Sequence, residues 1–229
     1  MKTQIKLLGL TAVAALAHTS VFAQTYNQNF EDLPAGAAPD LLATGFRAET
    51  GGNVPNVTSL ITNDPALVIA GNNSLLLTVP LFPSSTSDFD IGGYYSGSNG
   101  GSYTNIAPGT YQLTASIRLL DSGITSNLLF YYQAFNTGFA TQTTDTGNLA
   151  SPSFTSLDGV FTWTSPSFTI NPDNQNFYTG LQVQAVAGNA EVTNARWVLD
   201  SVSLAVVPEP SLTALSALAA LGLMARRRR

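Results

Sequence analysis

The stretch YQLTASIRL, residues 111–119, decides the fold class, because its apolar and polar side chains alternate without a break. Every odd-numbered residue is apolar, and every even-numbered residue is polar or charged. A period of two residues is that of a β-strand with one face in a core and one polar face. The stretch therefore predicts a strand that covers the core of a β-rich domain.

Residues 24–206 contain further pieces of the same kind. LQVQA (181–185) also alternates, whereas NLLFYYQAF (127–135) is apolar on both faces, which is typical of a central strand covered on both sides. VFTWTSPSFTI (160–170) and SLLLTVPLF (74–82) are strand candidates whose prolines mark edges or bends. Turn-forming residues separate the pieces, and no long helical period occurs. This pattern predicts an all-β fold, either a β-sandwich or a barrel.

The composition excludes several kinds of function. The chain has 229 residues and no cysteine, so disulfides and thiolate metal sites are impossible. Residues 24–206 carry thirteen acids against Arg47, Arg118 and Arg196, a net charge of −10. Nucleic-acid binding is not expected, because phosphate contacts require clustered Lys or Arg. The remaining cations lie at the two ends of the chain.

Residues 1–23 have the parts of a secretory signal peptide. Lys2 and Lys6 precede the apolar stretch LLGLTAVAALA (7–17), and small residues follow at positions 21 and 23. Cleavage is expected between Ala23 and Gln24. The alternative is a buried or membrane-anchoring helix, although the apolar stretch is short for a bilayer span.

Residues 207–229 combine a proline motif, an apolar segment and a basic end. Pro208, Glu209 and Pro210 come first, an uncharged Leu- and Ala-rich segment follows at 211–224, and four arginines occupy 226–229. The segment predicts a short transmembrane helix of about 21 Å, which would cross a core of ~30 Å only if neighbouring residues extend it. Arginines after an apolar helix stay on the cytoplasmic side.

This order of parts resembles the PEP-CTERM sorting signal of Gram-negative bacteria. The resemblance covers only residues 207–229 and implies recognition by an exosortase near Pro208, Glu209 and Pro210, with removal of the tail. Such systems accompany exopolysaccharide production and biofilm formation. An exported protein is therefore expected at the cell envelope or in the extracellular matrix, after signal peptidase cleavage and a transient inner-membrane stage. A plain tail anchor is the alternative.

The body, residues 24–206, is similar to carbohydrate-binding jelly-roll modules that carry a structural calcium ion. The similarity rests on NFEDLPAG (29–36), GNNSLLLTV (71–79) and WVLDSVSL (197–204). It implies a jelly roll in which the ion ties the opening strand to the closing one. Glu31 and Asp200 would be side-chain ligands, and Asn29 and Asn73 would add carbonyl or amide oxygens.

Alternation gives a separate reason to expect a cation at Asp200. Val198, Asp200, Val202 and Leu204 fall on one face of the last strand, so Asp200 would point into the core. An unpaired buried carboxylate costs several kcal/mol, and Ca²⁺ accepts carboxylate oxygens. The alternatives are a pair with Arg196 or Arg47, or a strand-end position that water reaches.

The inventory of catalytic groups is short. The body has no Cys, His or Lys, which excludes Ser-His-Asp triads and Schiff-base chemistry. Asp88 and Asp90 in SDFDIGG share a strand face and form the carboxylate pair that a glycosidase would need, but D-x-D is also common in exposed loops. No catalytic residue is assigned, and a non-enzymatic role is expected.

Sugar binding would need exposed aromatic rings with polar groups nearby. The candidates are Tyr94, Tyr95, Tyr103 and Trp163, of which adjacent Tyr94 and Tyr95 serve opposite faces. Packing is the alternative for each ring, most of all for Trp163 and Trp197. The expected role is binding or organising extracellular polysaccharide. The alternatives are a structural matrix or adhesin-like protein without a sugar site, and a glycan-active enzyme.

Overall fold

The computed structural model describes residues 26–39, 46–48, 54, 56–84, 87–96, 108–135, 142–170 and 176–207. This part of the chain contains thirteen strands and one 3-10 turn at Ser156–Asp158. The strands are β1 (Tyr26–Gln28), β2 (Phe46–Ala48), β3 (Thr58–Thr62), β4 (Ser74–Phe82), β5 (Asp88–Ser96), β6 (Gly109–Leu119), β7 (Thr125–Phe135), β8 (Gln142–Ala150), β9 (Ser153–Thr155), β10 (Val160–Thr164), β11 (Phe168–Ile170), β12 (Asn176–Ala185) and β13 (Val192–Val206).

The strands form two antiparallel sheets. Sheet A has seven strands in the order β10-β6-β13-β4-β3, with β1 also paired to β13 and β11 to β6. Sheet B has six strands in the order β2-β5-β12-β7-β8, with β9 also paired to β7. From β4 to β7, and again from β11 to β13, successive strands alternate between the sheets, as in double-sheet jelly rolls. The predicted β-sandwich is therefore confirmed.

The chain divides by its internal contacts into two units. Gln24–Val206 contains both sheets and every buried core residue of the described part of the chain, and the other unit consists of Met1–Ala23 and Val207–Arg229. The signal peptide, the Pro208-Glu209-Pro210 motif and the predicted tail helix lie outside the described residues. Among the residues that are described, no helix has the length and hydrophobicity needed to cross a membrane.

The core lies between the sheets and follows the alternation of the sequence. All five apolar residues of 111–119 are buried, as are Leu181, Val183 and Ala185 of β12. Trp197 fills the centre: its ring centroid lies 5.0 Å from that of Phe82 in sheet A. The ring of Phe89 in sheet B lies 5.2 Å from Trp197 and 6.4 Å from Phe82, so the three rings form one cluster. The packing alternative for Trp197 is confirmed.

The strand that is apolar on both faces, β7, lies inside sheet B between β12 and β8, as its sequence predicts. Leu128, Phe130 and Tyr132 face the core. On the opposite face Leu129 is half-buried and Tyr131 is buried. Both faces of this strand are therefore largely covered.

An irregularity in β13 overturns one inference from the sequence. Leu199 and Ser201 pair with consecutive residues of β6, so Asp200 is an extra residue in the strand. Because of this β-bulge, the residues after Asp200 point to the face opposite to the one that simple alternation predicts. The core receives odd-numbered side chains up to Leu199 and even-numbered ones from Val202 onward. The prediction that Asp200 points into the core together with Val198 and Val202 is wrong for this reason.

Candidate functional site

Asp200 lies where β13 changes its neighbour. Along the edge of β13 that does not pair with β6, β4 is the neighbour as far as Leu199, and β1 is the neighbour from Val202 onward. Two connections meet beside the gap between those strands: the turn that follows β1, and residues 63–73 between β3 and β4. We call the second connection the 63–73 loop.

Glu31 holds the 63–73 loop from the side of β1. The chain turns at Phe30, a buried residue with φ +63°, whose N–H donates to Gln28 Oε1 at 2.7 Å. Glu31 then accepts the backbone N–H of Asn72 at 3.0 Å and that of Asn73 at 3.2 Å. These hydrogen bonds lower the pKa of Glu31, and the bond from Asn73 has the largest effect.

Gly71 makes this approach possible. A Cβ at position 71 would lie 2.1 Å from Glu31 Oε1, and the residue has φ +69°, a conformation that favours glycine. The Glu31 carboxylate therefore occupies the space that any other side chain would need.

Asp200 holds the same loop from the side of β13. Its Oδ1 accepts the N–H of Ala70 at 3.1 Å and the hydroxyl of Ser74 at 3.2 Å. Burial raises the pKa of Asp200, the negative charge of Glu31 raises it further, and the two hydrogen bonds lower it. The two carboxylates that the family resemblance singles out therefore lie close enough to repel each other.

The two asparagines of the predicted ligand set lie at the same junction. Asn73 Nδ2 donates to the carbonyls of Glu31 and Leu33 at 3.1 and 3.2 Å. Asn29 Oδ1 accepts the N–H of Glu31 at 3.3 Å. All four predicted residues are thus gathered in one place, although they are spread over 172 positions of the chain from Asn29 to Asp200.

The junction offers the hard oxygen donors that calcium binds: two carboxylates, an amide oxygen and backbone carbonyls. The N–H groups of Asn72 and Asn73 occupy the Glu31 oxygens, so a cation would compete with them. Within the described ranges, no three His, Asp or Glu side chains are grouped as metal ligands. The carboxylate and amide oxygens fit calcium by their chemistry, and the carbonyls of Glu31 and Leu33 already accept from Asn73 Nδ2.

Arg196 does not form the ion pair with Asp200 that the sequence allowed. Arg196 pairs with Asp121, with Nη2 to Oδ1 at 3.0 Å, and this partner raises the pKa of Arg196. The proposed Asp200–Arg196 pair is therefore wrong, and the Arg47 side chain lies outside the description. Arg118 Nη2 donates to the carbonyl of Leu67 at 2.6 Å, so it too binds the 63–73 loop.

A second polar surface is the face of sheet B that is turned away from the core, which we call the sheet-B face. Gln182 and Gln184 alternate with core residues of β12 and so point to this face. Asp88 and Asp90 flank the core residue Phe89 in β5, which confirms that they share a face. Gln182 is opposite Asp90, and Gln184 is opposite Asp88.

Hydrogen bonds join these side chains across the strands. Gln182 Nε2 donates to Asp90 Oδ1. On the other side of β12, Gln184 is opposite Asn127, whose Oδ1 accepts the hydroxyl of Ser153. The sheet-B face thus carries two rows of amide and carboxylate groups.

The next row along the sheet-B face consists of three buried residues. Gly180 of β12 lies between Gly93 of β5 and Tyr131 of β7. The groups of this face that reach the surface are therefore the half-buried side chains of Gln182, Gln184, Asp88 and Asp90. A few convergent polar groups of this kind fix the orientation of a ligand in sugar sites.

The aromatic residues proposed from the sequence are divided between the sheets. Tyr94 and Tyr95 lie in β5 of sheet B, but their side chains and all of Tyr103 fall outside the description. Trp163 lies in β10 of sheet A and packs partly against the core, with its Nε1 buried. Gln182 and Gln184 were missed as site residues, because only the sheet arrangement places them on a common face with Asp88 and Asp90.

The corresponding outer surface of sheet A is different. Its hydroxyls bond to one another, Thr114 to Thr164 at 2.8 Å and Ser116 to Thr162 at 2.9 Å. On the same outer surface of sheet A, Val198 is fully buried although it does not belong to the core. Val198 is opposite Arg118, the residue that binds the 63–73 loop. The loop therefore lies over this part of sheet A.

Comparison with known proteins gives matches in fold only. No protein-family model matches the sequence, and no match is found among curated proteins. The CBM22-1 xylan-binding domain of Xyn10C from Paenibacillus barcinonensis is 11% identical, with a TM-score of 0.44 over 80% of this chain and 94% of that one. The family 11 carbohydrate-binding module from Clostridium thermocellum is 10% identical, with a TM-score of 0.44 over 81% and 97%.

A third solved structure, described among carbohydrate-binding modules of the β-sandwich superfamily, is 18% identical, with a TM-score of 0.47 over 75% of this chain and 58% of that one. These three solved structures are carbohydrate-binding modules. The likeness does not assign a ligand to this chain.

Proposed function

We propose that this protein is a non-enzymatic, exported binding protein that uses the sheet-B face to bind a polysaccharide. The observation that carries the proposal is the set of side chains on that face. Two rows of half-buried amide and carboxylate groups cross neighbouring strands of the sheet, with Gln182 opposite Asp90, and Gln184 opposite Asp88 and Asn127. Planar polar groups pair with sugar hydroxyls and fix the orientation of a ligand.

The test is binding of the Gln24–Val206 unit to a glycan array, followed by titration with the best soluble polysaccharide. Gln182→Ala should weaken that binding by about three- to tenfold, because it removes hydrogen bonds worth roughly 1 kcal/mol.

The matched control is Gln112→Ala, the same chemical change on the outer surface of sheet A. It should leave the affinity unchanged. Equal losses for Gln182→Ala and Gln112→Ala would contradict a site on the sheet-B face. If no glycan binds while the unit adheres to itself or to cells, the structural matrix or adhesin-like role replaces the proposal.

The pairing of Asp88 and Asp90 on one face keeps a glycan-active enzyme as the other candidate. Release of reducing sugar that is abolished by Asp88→Asn would favour it.

We further propose that calcium stabilises the fold at the junction of β1, β13 and the 63–73 loop. Glu31 and Asp200 would hold the ion with their carboxylates, and Asn29 and Asn73 would contribute oxygens. The negative charge of Glu31, which contributes to the raised pKa of Asp200, supports the proposal, because a cation beside Asp200 would offset that charge. The ion would be structural.

We also propose the route by which the protein reaches its ligand. Signal peptidase would cut after Ala23, the tail helix would hold the chain in the inner membrane, and an exosortase would cut near Pro208, Glu209 and Pro210. The motif order at residues 207–229 supports this proposal. The mature protein would then act at the surface or in the biofilm matrix of a Gram-negative bacterium.

A further inference from the structure

Strand β10 has one open edge. It lies at the end of sheet A and pairs only with β6 among the strands that are described. Ser165 N–H donates to the carbonyl of Leu113 at 2.8 Å, which continues the register of the β10–β6 pair. Because backbone groups alternate in direction along a strand, the N–H and C=O groups of Val160, Thr162 and Thr164 point away from β6.

The edges formed by β3, β2 and β8 differ from that of β10. At the opposite edge of sheet A, Gly36 N–H donates to the carbonyl of Ile61 at 2.8 Å, and Ile61 N–H donates to that of Ala37 at 2.8 Å, so the chain covers β3 itself. The outer strands of sheet B, β2 and β8, contain Arg47 and Asp145. Charges on edge strands oppose pairing with another chain.

Strand β10 lacks these protections. No charged residue occurs from Gly159 to Ile170. Two apolar side chains stand out beside the open edge: Val160 is 45% exposed and Leu157 is 94% exposed. Leu157 is held in place by a capped 3-10 turn, in which its N–H donates to Thr155 Oγ1 at 3.3 Å and Asp158 closes the capping box.

We propose that β10 is the surface through which two copies of this protein associate, by antiparallel pairing of the strand with itself. With Thr162 opposite its counterpart, Val160 meets Thr164 at each end, and every outward-facing group finds a partner. Three such residue pairs make about six hydrogen bonds. A second copy suits the edge, because an uncharged strand brings no repulsion when it meets its own sequence in a two-fold arrangement.

The strength of this association follows from its size and from the charge of the molecule. A five-residue strand buries less than the roughly 1,000 Å² typical of stable interfaces, so pairing should depend on concentration. The two bodies carry −10 each, while the pairing strand carries nothing. Salt should therefore strengthen the association by screening the repulsion, whereas an interface built on ion pairs would weaken.

Sedimentation of the Gln24–Val206 unit over a range of concentrations and salt tests the proposal. Thr162→Pro removes one outward N–H but leaves the bonds to β6, and should raise the dissociation constant at least tenfold while the fold is kept. Thr58→Lys on the covered edge is the control for Thr162→Lys: only the second should oppose association. A unit that stays monomeric at high concentration and high salt would overturn the proposal.

A cysteine cross-link gives a second, independent measurement, because the chain contains no cysteine of its own. Thr162→Cys should form a disulfide-linked dimer under oxidised glutathione, since the self-pairing places the two substituted positions opposite each other within disulfide reach. Thr58→Cys should dimerise no faster than random collision allows. Equal rates for the two variants would refute pairing at β10.

Discussion

Asp200 and Glu31 carry the same charge, meet the same loop and differ in environment. N–H donors surround the Glu31 carboxylate and lower its pKa, so its ionised form favours the folded state. Burial raises the pKa of Asp200, so its ionised form opposes folding. Stability that protonation of Asp200 contributes at low pH is lost as the pH rises from its ordinary value of 3.8 through the raised value.

Because the ionised form of Asp200 opposes folding, the Asp200→Asn variant tests the calcium proposal. Without calcium at neutral pH, the variant should be at least as stable as the parent, because asparagine keeps an oxygen for Ala70 and Ser74 but removes the disfavoured charge. With calcium at about a hundred times its dissociation constant, the parent should gain roughly 2.7 kcal/mol and melt about 5–10 °C higher, and the variant should not. Melting curves with calcium and with chelator measure both.

Asp121→Asn is the control, since Asp121 pairs with Arg196 away from the junction. Its melting temperature should respond to calcium as the parent's does. A parent protein that melts at the same temperature in calcium and in chelator would end the calcium proposal.

Gly71→Ala should destabilise the protein strongly. Its backbone at φ +69° costs a non-glycine residue about 1–3 kcal/mol, and the new Cβ would displace the Glu31 carboxylate. Gly123→Ala is the matched control, because φ is +81° and nothing lies within 4 Å of its Cβ. Urea unfolding should give a larger loss at position 71. Equal losses of unfolding free energy at positions 71 and 123 would mean that the Glu31 carboxylate does not need the space that Gly71 leaves open.

At the scale of elements, the 63–73 loop is held by three charged residues from three parts of the chain. Arg118 of β6 binds its carbonyls, Asp200 of β13 binds the N–H of Ala70, and Glu31 binds those of Asn72 and Asn73. These three charges are bonded to backbone dipoles of the loop. The loop therefore behaves as one element that closes over sheet A.

Arg118→Met should release the loop locally. It keeps the length of the side chain but removes charge-assisted hydrogen bonds worth about 1.5–3 kcal/mol. Amide exchange at Ala70, Asn72 and Asn73 should accelerate by about 10- to 100-fold. Arg196→Met, which breaks only the pair with Asp121, should leave those amides protected, and unchanged exchange in Arg118→Met would contradict the role of the arginine.

At the scale of the whole molecule, the body and the two ends of the chain differ in charge. The body is acidic and contains both sheets, and the remaining cations lie within residues 1–23 and 207–229. This distribution of charge is an argument for the proposed export of the body.

The export proposal predicts a defined product in a native host. Mass spectrometry of the surface or matrix fraction should find a chain that begins at Gln24 and ends near Pro208–Pro210. Replacing the four terminal arginines by alanine should reduce cleavage of the tail, because the helix would lose its cytoplasmic anchor. Recovery of the uncut chain from the cytoplasm would contradict the proposal.

The sequence by itself determined the strands and the chemistry available to the protein. Alternation at 111–119 and 181–185 is enforced by burial of one strand face, so it is visible without a structure. The absence of Cys, and of His and Lys from the body, is equally plain. The resemblance also named Glu31, Asn29, Asn73 and Asp200, which the structure brings together.

Only the tertiary structure decided how these pieces are used. The bulge at Asp200 depends on where β4 ends and β1 begins as neighbours of β13, and no local pattern records that exchange. The polar face of β6 and that of β12 look alike in sequence, yet the 63–73 loop covers part of one face, while the other carries the two rows of amide and carboxylate groups. Periodicity is a local property, whereas contacts between distant residues exist only after the sheets have formed.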